Sequence, residues 1–595
     1  MKKLFLLLIL MGAALLCAGC IADSGIEIVA TINGQALDPQ VAYEFDAEEG
    51  IVHIHVNAKR QIKEIQTYTS YGENDMGWTP FTTGSWKEMD FDEYISECWE
   101  DTEETLHLRV VLPDDSIALE TSYRFHHVPR CAFDHEDYWG DVAITGYHGN
   151  VETVEVPAEI DGKRVVRIAA EAFSNHLYVS KIILPDSIRS IGERAFLNTW
   201  MNEIVLPDPI EEISAGAFED CARLKAVSWP ACADEVPDYA FAGCEDLASV
   251  TLPPSVQTIG KNAFSHCDSL SHIDLPQSLL HLGAHAFRTC PLTSIEFPDS
   301  LESIGERCFE MCEALEAVQL PAHLRRLEIG AFSRCRSLYQ VSLPDSLVDI
   351  QDNPFPACPS LERIILSENH PILKMKDGVL YNTLEDILLY FPVQDMRVSF
   401  TVPDGIRRIG SCAFSSNRIF SSDPALSERL AEILLPDTME ELGAAAFQGC
   451  NFTEITLPDG LRFIGECAFA PTLEHLEMPD SVTELGIQTF LMYDQLKSIK
   501  LSDSLVVLPS AAFFGCTALR EIILPRSLRN IGQYCFNGCS NLQDIYVQDH
   551  LEYIAPSSMP KPERAQLMIF THEDDLYTIN YCIKNDILLK VESRP

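Results

Sequence analysis

The stretch that decides the fold is VTLPPSVQTIGKNAFSHC, residues 250–267, because each of its parts predicts one segment of a repeating coil. Residues 250–252 alternate apolar and polar side chains as a half-buried strand does, and Pro253 ends that strand because proline has no backbone donor. Two further apolar residues then lead to Gly260, which allows a tight corner, and Phe264 lies in a short helical turn. The stretch therefore predicts a small coil built from a strand, a corner and a turn.

This pattern recurs along most of the chain, and its phenylalanine marks each copy. Most copies are 22 or 23 residues apart, while two longer steps, from Phe355 to Phe414 and from Phe414 to Phe447, indicate insertions. One copy alone buries almost no apolar surface, so neighbouring copies must stack. We therefore expect a β-rich solenoid of about fifteen coils with short strands and short helical turns. The marker residues are Phe173, Phe196, Phe218, Phe241, Phe264, Phe287, Phe309, Phe332, Phe355, Phe414, Phe447, Phe469, Phe490, Phe513 and Phe536.

The repeated blocks Leu-Pro-Asp-Ser and Ile-Gly-x-x-Ala-Phe-x-x-Cys resemble those of the BspA-type leucine-rich repeat proteins of bacterial surfaces. The resemblance covers about two thirds of the chain. It implies a leucine-rich-repeat solenoid on a secreted or surface-anchored protein, and several family members are implicated in adhesion to matrix proteins or cells. Local departures, such as Ala322-His323 in place of Asp-Ser and Arg526 in place of the aspartate, alter only the surface chemistry.

The remaining segments fit around the solenoid, which we place at residues 129–560. Paired apolar runs predict a hairpin insert at residues 367–402, and a mixed strand and helix pattern predicts a C-terminal cap at residues 561–595. Residues 26–128 lack the repeat but contain six short alternating runs between turn signals. They predict an antiparallel β-sandwich, of which an immunoglobulin-like domain is an example.

The amino terminus predicts the compartment. Lys2 and Lys3 precede an apolar run of about 13 residues, which suits a signal peptide and is too short to span a bilayer. Ala18-Gly19-Cys20 resembles the bacterial lipobox, which implies that residues 1–19 are removed and that Cys20 receives lipid, with residues 20–25 as a linker. A plain secretory signal is the alternative. We expect attachment to the extracellular face of the cell envelope through lipid alone.

The charge excludes one large class of partner. The chain has 43 Lys and Arg against 89 Asp and Glu, a net charge of -46. Such an acidic protein repels phosphate groups, so binding to nucleic acid is excluded.

The 20 cysteines first suggest a disulfide framework, but ten of them lie three residues after a repeat phenylalanine. Stacked side chains about 4.8 Å apart are wider than a disulfide prefers, so we expect free, buried thiols. Cys98 and Cys131 are the one plausible bridge.

Aromatic residues cluster between Tyr68 and Trp99. This segment contains glycine, threonine and acids, so it is interpreted as a long loop, and long loops are often functional. Exposed aromatic rings suit protein or sugar contacts, although packing of these rings in the sandwich core is equally consistent with the pattern. The candidate binding residues are Tyr71, Trp78, Trp86 and Trp99.

No catalytic motif is present, so we expect no enzyme and no cofactor. His53, His55 and His107 would suit zinc, but a solvated strand face is the simpler interpretation. The repeated aspartates after the strand-ending prolines would suit calcium, but turns in which the carboxylate accepts backbone N–H groups explain them better. Two hypotheses remain: adhesin-like binding of extracellular protein through the solenoid, and glycan binding or nutrient capture through the aromatic loop 68–99.

Overall fold

The computed structural model of the chain describes residues 133–149, 151–395, 397–415, 430–560 and 567–592 and, between residues 26 and 127, the backbone of eight strands. The chain divides into two compact units, Met1–His135 with Gly146–Gly149 and Glu136–Thr145 with Asn150–Pro595. The predicted signal peptide, Cys20 and its linker lie outside the described residues, as do Cys98 and Cys131. Among the helices that are described, none is long and apolar enough to cross a bilayer.

The first unit contains a hydrogen-bonded sheet in which one long strand connects the others. Along its first half β4 pairs with β1, along its second half with β7, and β6 pairs with both halves. All the alternating runs predicted here overlap observed strands, two of them joined in β4. That the sheet folds into a sandwich stays a prediction. The strands are β1 Ile26–Ile32, β2 Gln35–Ala36, β3 Ala42–Phe45, β4 Ile51–Tyr71, β5 Asn74–Asp75, β6 Thr79–Tyr94, β7 Thr102–Val111 and β8 Ile117–His127.

The expectation of a long aromatic loop over residues 68–99 is wrong for most of its length. Tyr71 ends β4, and Trp86 lies inside β6, where it pairs with Ile62. The signal that we misread is the alternation of apolar and acidic residues over 89–92, which has the period of two typical of a strand. The glycine and threonine residues around this stretch are common in loops, and they led to the wrong prediction.

The second unit is the solenoid, and most coils place one short strand in each of two rows of parallel strands, which we call the first and the second ladder. The hydrogen bonds divide each ladder into several separate sheets. The first ladder contains β11 Thr153–Glu155, β14 Lys181–Ile183, β16 Glu203–Val205, β18 Ala226–Ser228, β20 Ser249–Thr251, β24 Ala317–Gln319, β26 Gln340–Ser342, β27 Arg363–Ile365, β31 Ser399–Thr401, β33 Glu432–Leu434, β36 His475–Glu477, β38 Ser498–Lys500, β40 Glu521–Leu524, β42 Asp544–Val547, β44 Met568–His572 and β45 Leu588–Glu592.

The second ladder follows the strand-ending prolines of the same coils. It contains β10 Asp141–Tyr147, β13 Lys163–Ile168, β15 Ser190–Ile191, β17 Glu212–Ile213, β19 Glu235–Val236, β21 Thr258–Ile259, β22 His281–Leu282, β23 Ser303–Ile304, β25 Arg326–Leu327, β30 Ile387–Tyr390, β32 Arg408–Ile409, β34 Glu441–Leu442, β35 Phe463–Ile464, β37 Glu484–Leu485, β39 Val507–Leu508, β41 Asn530–Ile531 and β43 Tyr553–Ile554. The strands outside both ladders are β9 Phe133–Tyr138, β12 Glu159–Ile160, β28 Leu373–Lys376 and β29 Val379–Asn382.

The core is a column of stacked phenylalanine rings. From Phe196 to Phe332 the ring centroids of successive coils lie 5.2–5.4 Å apart and the rings are within 10° of parallel. Each ring is fully buried. The ten cysteines that follow a repeat phenylalanine are buried beside this column and are free. Nine of these thiols donate to a carbonyl of the preceding coil, as Cys267 does to Phe241 at 3.2 Å. Cys232 is exposed and departs from that pattern.

The turn that contains the phenylalanine is not helical, which corrects the prediction. The residues two positions before and after Phe264, Asn262 and His266, have φ values of 54° and 60°. Every second N–H group of this turn donates to the next coil, as that of Phe264 does to the Ala286 carbonyl at 2.8 Å, while the N–H groups between them donate within the turn. The sequence pattern did not reveal this because left-handed residues other than glycine carry no strong sequence signal.

Serine of the Leu-Pro-Asp-Ser block ties coils together. Ser187, Ser278 and Ser346 each donate to a backbone carbonyl of the preceding coil at 2.6 Å. The aspartate before it was expected to accept backbone N–H groups within its turn. For Asp480 the donor belongs to the next coil, since Asp503 N–H lies 3.2 Å from its carboxylate.

The predicted hairpin at residues 367–402 is present, since β28 and β29 pair antiparallel. β30 then returns to the solenoid and pairs parallel with β32. Phe391 follows β30 and stacks on Phe414 at 4.8 Å, so the insert also supplies a coil.

The solenoid has about 19 turns, more than the fifteen predicted. The count was low because coils without the repeat phenylalanine exist at both ends and within the insert. At the carboxyl end β44 pairs with β42 and extends the first ladder. Helix α1, Leu576–Lys584, follows, and its N-cap residue Asp575 accepts the Thr578 N–H at 3.1 Å.

Candidate functional site

The candidate site is a groove on the turns of six consecutive coils. Its floor is the row of residues two positions after each phenylalanine, where the backbone is left-handed and each N–H donates to the next coil, as Asn175 does to Leu197 at 2.8 Å. The backbone donors are thus already used, and only side chains are available to a ligand. The residues of this row that line the groove are Asn175, Asn198, Asp220, Gly243 and His266.

The groove has a volume of about 720 Å³ and is open to solvent. Its lining extends from Asn175 to Arg288. Successive rings in the underlying column repeat every 5.3–5.4 Å, so the groove follows roughly 25 Å of the solenoid. An extended segment of several residues fits such a shape better than a small molecule does.

Asp220 lies at the centre of the groove because Gly243 leaves room for it. A Cβ atom at position 243 would come within 2.2 Å of the Asp220 carboxylate oxygen. Partial burial, with the negative charge of Glu219 second, raises the pKa of Asp220. The carboxylate is therefore held where a cation or a hydrogen-bond donor would relieve its unfavourable surroundings.

The other polar groups of the groove divide into paired and available ones. Asn198 donates to the Asn175 side chain at 2.8 Å, and Glu219 is paired with Arg194 at 2.9 Å. Arg288 lies 3.2 Å from the carboxylate of Glu310. Within the described part of the chain, Asp220, Glu245 and Asp268 have no ion pair, so the available charge of the groove is negative.

One neighbouring pair resembles a catalytic arrangement but is not built as one. His266 Nδ1 lies 3.2 Å from the Thr289 hydroxyl oxygen. The Thr289 hydroxyl also lies 2.7 Å from the carbonyl of Arg288, to which it donates. Because its proton is directed to that carbonyl, the hydroxyl is not activated by the imidazole.

The binding residues proposed from the sequence do not belong to the coils that form this groove. Tyr71 and Trp86 lie in β4 and β6 of the other unit, while Trp78, Trp99 and Cys20 lie outside the described residues. Their binding role stays a prediction. The three histidines considered for zinc are also separated, because the register places His107 opposite Tyr68, thirteen residues along β4 from His55. Among the described residues no group of three His, Cys, Asp or Glu could hold a metal ion.

Sequence reasoning missed the groove, although a signal was present. The row two positions after phenylalanine begins with small or polar residues and then continues with Met311 and Arg334, whose long side chains close it. Aligning that row across the copies would have located the opening at Gly243.

Comparison with known proteins identifies the repeats. The family described as BspA type leucine rich repeat region matches residues 166–291, 281–395, 425–474 and 470–583, in six copies. These ranges cover well over half of the chain. No curated protein matches it.

Several solved structures are similar. A leucine rich cell surface protein from Faecalibacterium prausnitzii A2-165 is 22% identical over 73% of this chain and 95% of its own, with a TM-score of 0.33. A leucine-rich repeat protein from Bacteroides ovatus is 20% identical over 78% and 100%, with a TM-score of 0.30. The pneumococcal vaccine antigen PcpA is 17% identical over 78% and 98%, with a TM-score of 0.32.

Proposed function

Because the chain belongs to the BspA-type leucine-rich repeat family, we propose that it is a non-enzymatic bacterial cell-surface protein that binds extracellular proteins through its solenoid, as adhesins do. The groove around Asp220 carries this proposal. It is open, follows several coils and presents side chains rather than a closed pocket with converging reactive groups. Such a surface suits an extended protein segment.

The charge of the groove indicates the side chains that would enter it. The carboxylates of Asp220, Glu245 and Asp268 are available, and the net charge of -46 would steer basic partners towards the protein. We therefore expect a lysine or an arginine of the partner segment beside Asp220.

Attachment through lipid at Cys20 completes the proposal. The short positive head, the apolar run and the small residues before Cys20 support it. Mass spectrometry of the amino-terminal peptide from the membrane fraction should find acyl chains on Cys20. An unmodified mature terminus at another residue would show that the signal is a plain secretory one.

The test is a binding array that carries purified extracellular matrix proteins beside glycans. We expect binding to one or more proteins, and an Asp220→Asn variant should bind those proteins more weakly. Asp459→Asn, which removes an equally exposed carboxylate from another coil, is the matched control and should leave binding unchanged. Binding confined to sugars would instead favour the glycan hypothesis for residues 68–99.

A further inference from the structure

Three hairpins of the solenoid unit turn through two residues that both have positive φ. The turns are Trp139-Gly140 with 55° and 92°, Asp161-Gly162 with 54° and 76°, and Asp377-Gly378 with 51° and 82°. They join β9 to β10, β12 to β13 and β28 to β29. Positive φ at both positions defines the type I′ turn, which strongly favours Asn-Gly or Asp-Gly. The chain follows that preference twice and places a tryptophan in the third turn.

Tryptophan at this position is unfavourable for folding in two ways. A bulky side chain in the left-handed region is strained, whereas aspartate tolerates it. The side chain is also 94% exposed, so a large aromatic surface remains in water without packing on the protein. A residue that costs folding energy and returns no internal contact is expected where it acts on another molecule.

Hydrogen bonds and ion pairs restrain the backbone of the turn on both sides of Trp139. The Asp137 carboxylate accepts the Gly140 N–H at 3.2 Å and is paired with Lys163 at 2.5 Å. On the other side of the turn, Asp141 is paired with Arg164 at 2.9 Å. Both cations belong to β13, so one neighbouring strand braces both sides of the turn.

A third contact fixes the residue before the tryptophan. The Arg167 guanidinium lies 5.2 Å from the centre of the Tyr138 ring, and it donates to the Tyr138 hydroxyl at 3.3 Å. The turn therefore has little freedom to lose when a partner binds, which lowers the entropic cost of association.

We propose that Trp139 anchors a protein contact by inserting its indole ring into an apolar pocket of an extracellular partner. The inference rests on the proposed function and adds the residue and the chemistry of the contact. An exposed tryptophan on a restrained turn is typical of the residues that dominate protein interfaces. The indole N–H requires an acceptor within the pocket.

The charges around the turn favour a protein over a lipid surface. Lys163 and Arg164 are each paired with an aspartate, so neither of these two cations is free to bind anionic lipid headgroups. The chain's net charge of -46 favours a neutral or a basic partner at the turn.

The test compares the full mature chain with two variants on an array of purified matrix proteins, on glycans and on phosphatidylcholine vesicles. Trp139→Asn gives the turn its favoured Asn-Gly sequence, so the variant should unfold at an equal or a higher temperature. Tyr178→Asn removes an aromatic residue that is 80% exposed on a repeat coil and is the matched control. We expect Trp139→Asn to weaken protein binding roughly thirtyfold, as loss of an interface anchor does, and the control to bind normally.

The outcomes separate this inference from the proposed function. Unchanged binding of the same proteins by Trp139→Asn would overturn the role of Trp139 and leave the proposed function in place. If the mature chain binds no protein, both fail. If Trp139→Asn loses binding to vesicles or glycans but keeps its binding to proteins, Trp139 contacts another class of partner and the proposal is overturned.

Discussion

The repeat phenylalanine is the residue on which the solenoid depends most. Phe264 is fully buried and stacks on Phe241 and Phe287 at 5.4 Å, so its ring fills the space between two coils. Truncation would leave a cavity that the coils above and below cannot close, because their own rings fix the spacing.

Phe264→Ala should therefore lower the free energy of unfolding by about 3–5 kcal/mol. Urea unfolding followed by circular dichroism measures the loss. Tyr178→Ala, at a side chain that is 80% exposed, should change it by less than about 0.5 kcal/mol. A loss at Phe264 no greater than that of the control would contradict the stacked core.

The buried thiols make stability depend on pH at the alkaline side. Burial raises the pKa values of Cys244, Cys267 and Cys290, so these thiols stay protonated in the folded chain. In the unfolded chain thiols ionise near pH 8.5. The folded state then holds more protons, and the stability contributed below that pH is lost as pH rises above it.

We expect the free energy of unfolding to be steady from pH 7 to about 8 and then to fall by about 1.4 kcal/mol per pH unit for each such thiol. Urea titrations between pH 7 and 9.5 measure the slope. Replacing the three cysteines with alanine should reduce this slope by the contribution of about three thiols. A flat profile, or the same slope in the variant, would show that the thiols are not the cause.

Sequence spacing was sufficient to place these residues, because a buried position recurs at a fixed offset in each copy. The same spacing could not identify Asp220, whose surroundings depend on the missing side chain of Gly243 in the next coil. The sequence also did not identify Trp139 as a candidate binding residue, because the argument for it depends on the positive φ of its turn.

At the scale of the elements, the corner glycines are needed because the backbones of two coils approach each other closely there. Gly283 has no positive φ, but a Cβ atom there would lie 2.6 Å from the Gly260 carbonyl carbon and 2.7 Å from the Lys261 nitrogen. The sequence predicted a glycine for a tight corner. The structure shows that glycine is needed because the backbone of the preceding coil lies directly against this position.

Gly283→Ala should force two coils apart and cost about 3 kcal/mol, as strong overpacking does. Gly405→Ala is the informative comparison: Gly405 has φ of 91° but no atom within 4 Å of the added Cβ. That change should cost only the strain of the left-handed backbone, about 1 kcal/mol. Equal losses for the two variants in urea unfolding would contradict the close-approach explanation.

Element type was predicted well where the period was strict and poorly elsewhere. The strands of the coils and the insert hairpin follow from alternation and strand-ending prolines. The phenylalanine turn was assigned to a helix because a helical turn and a turn with two left-handed residues have the same length in sequence. β6 was missed because its glycine and threonine obscure a period of two.

For the whole molecule, stacking of near-identical coils explains both the stability and the proposed use. Each coil contacts only its neighbours, so surface residues can vary along the solenoid without altering the fold. Variation in one row produced the groove around Asp220, while the phenylalanine column beneath it stays regular. The net charge of -46 keeps such an elongated surface solvated and selects against nucleic acid.

The most direct test of the central claim, that the solenoid binds the partner, is amide hydrogen exchange of the mature chain with and without a matrix protein that it binds. Because binding through the solenoid would cover its turns, protection should increase in peptides between residues 136 and 290, around Trp139 and the groove. Protection confined to residues 26–127, with the solenoid unchanged, would contradict the account.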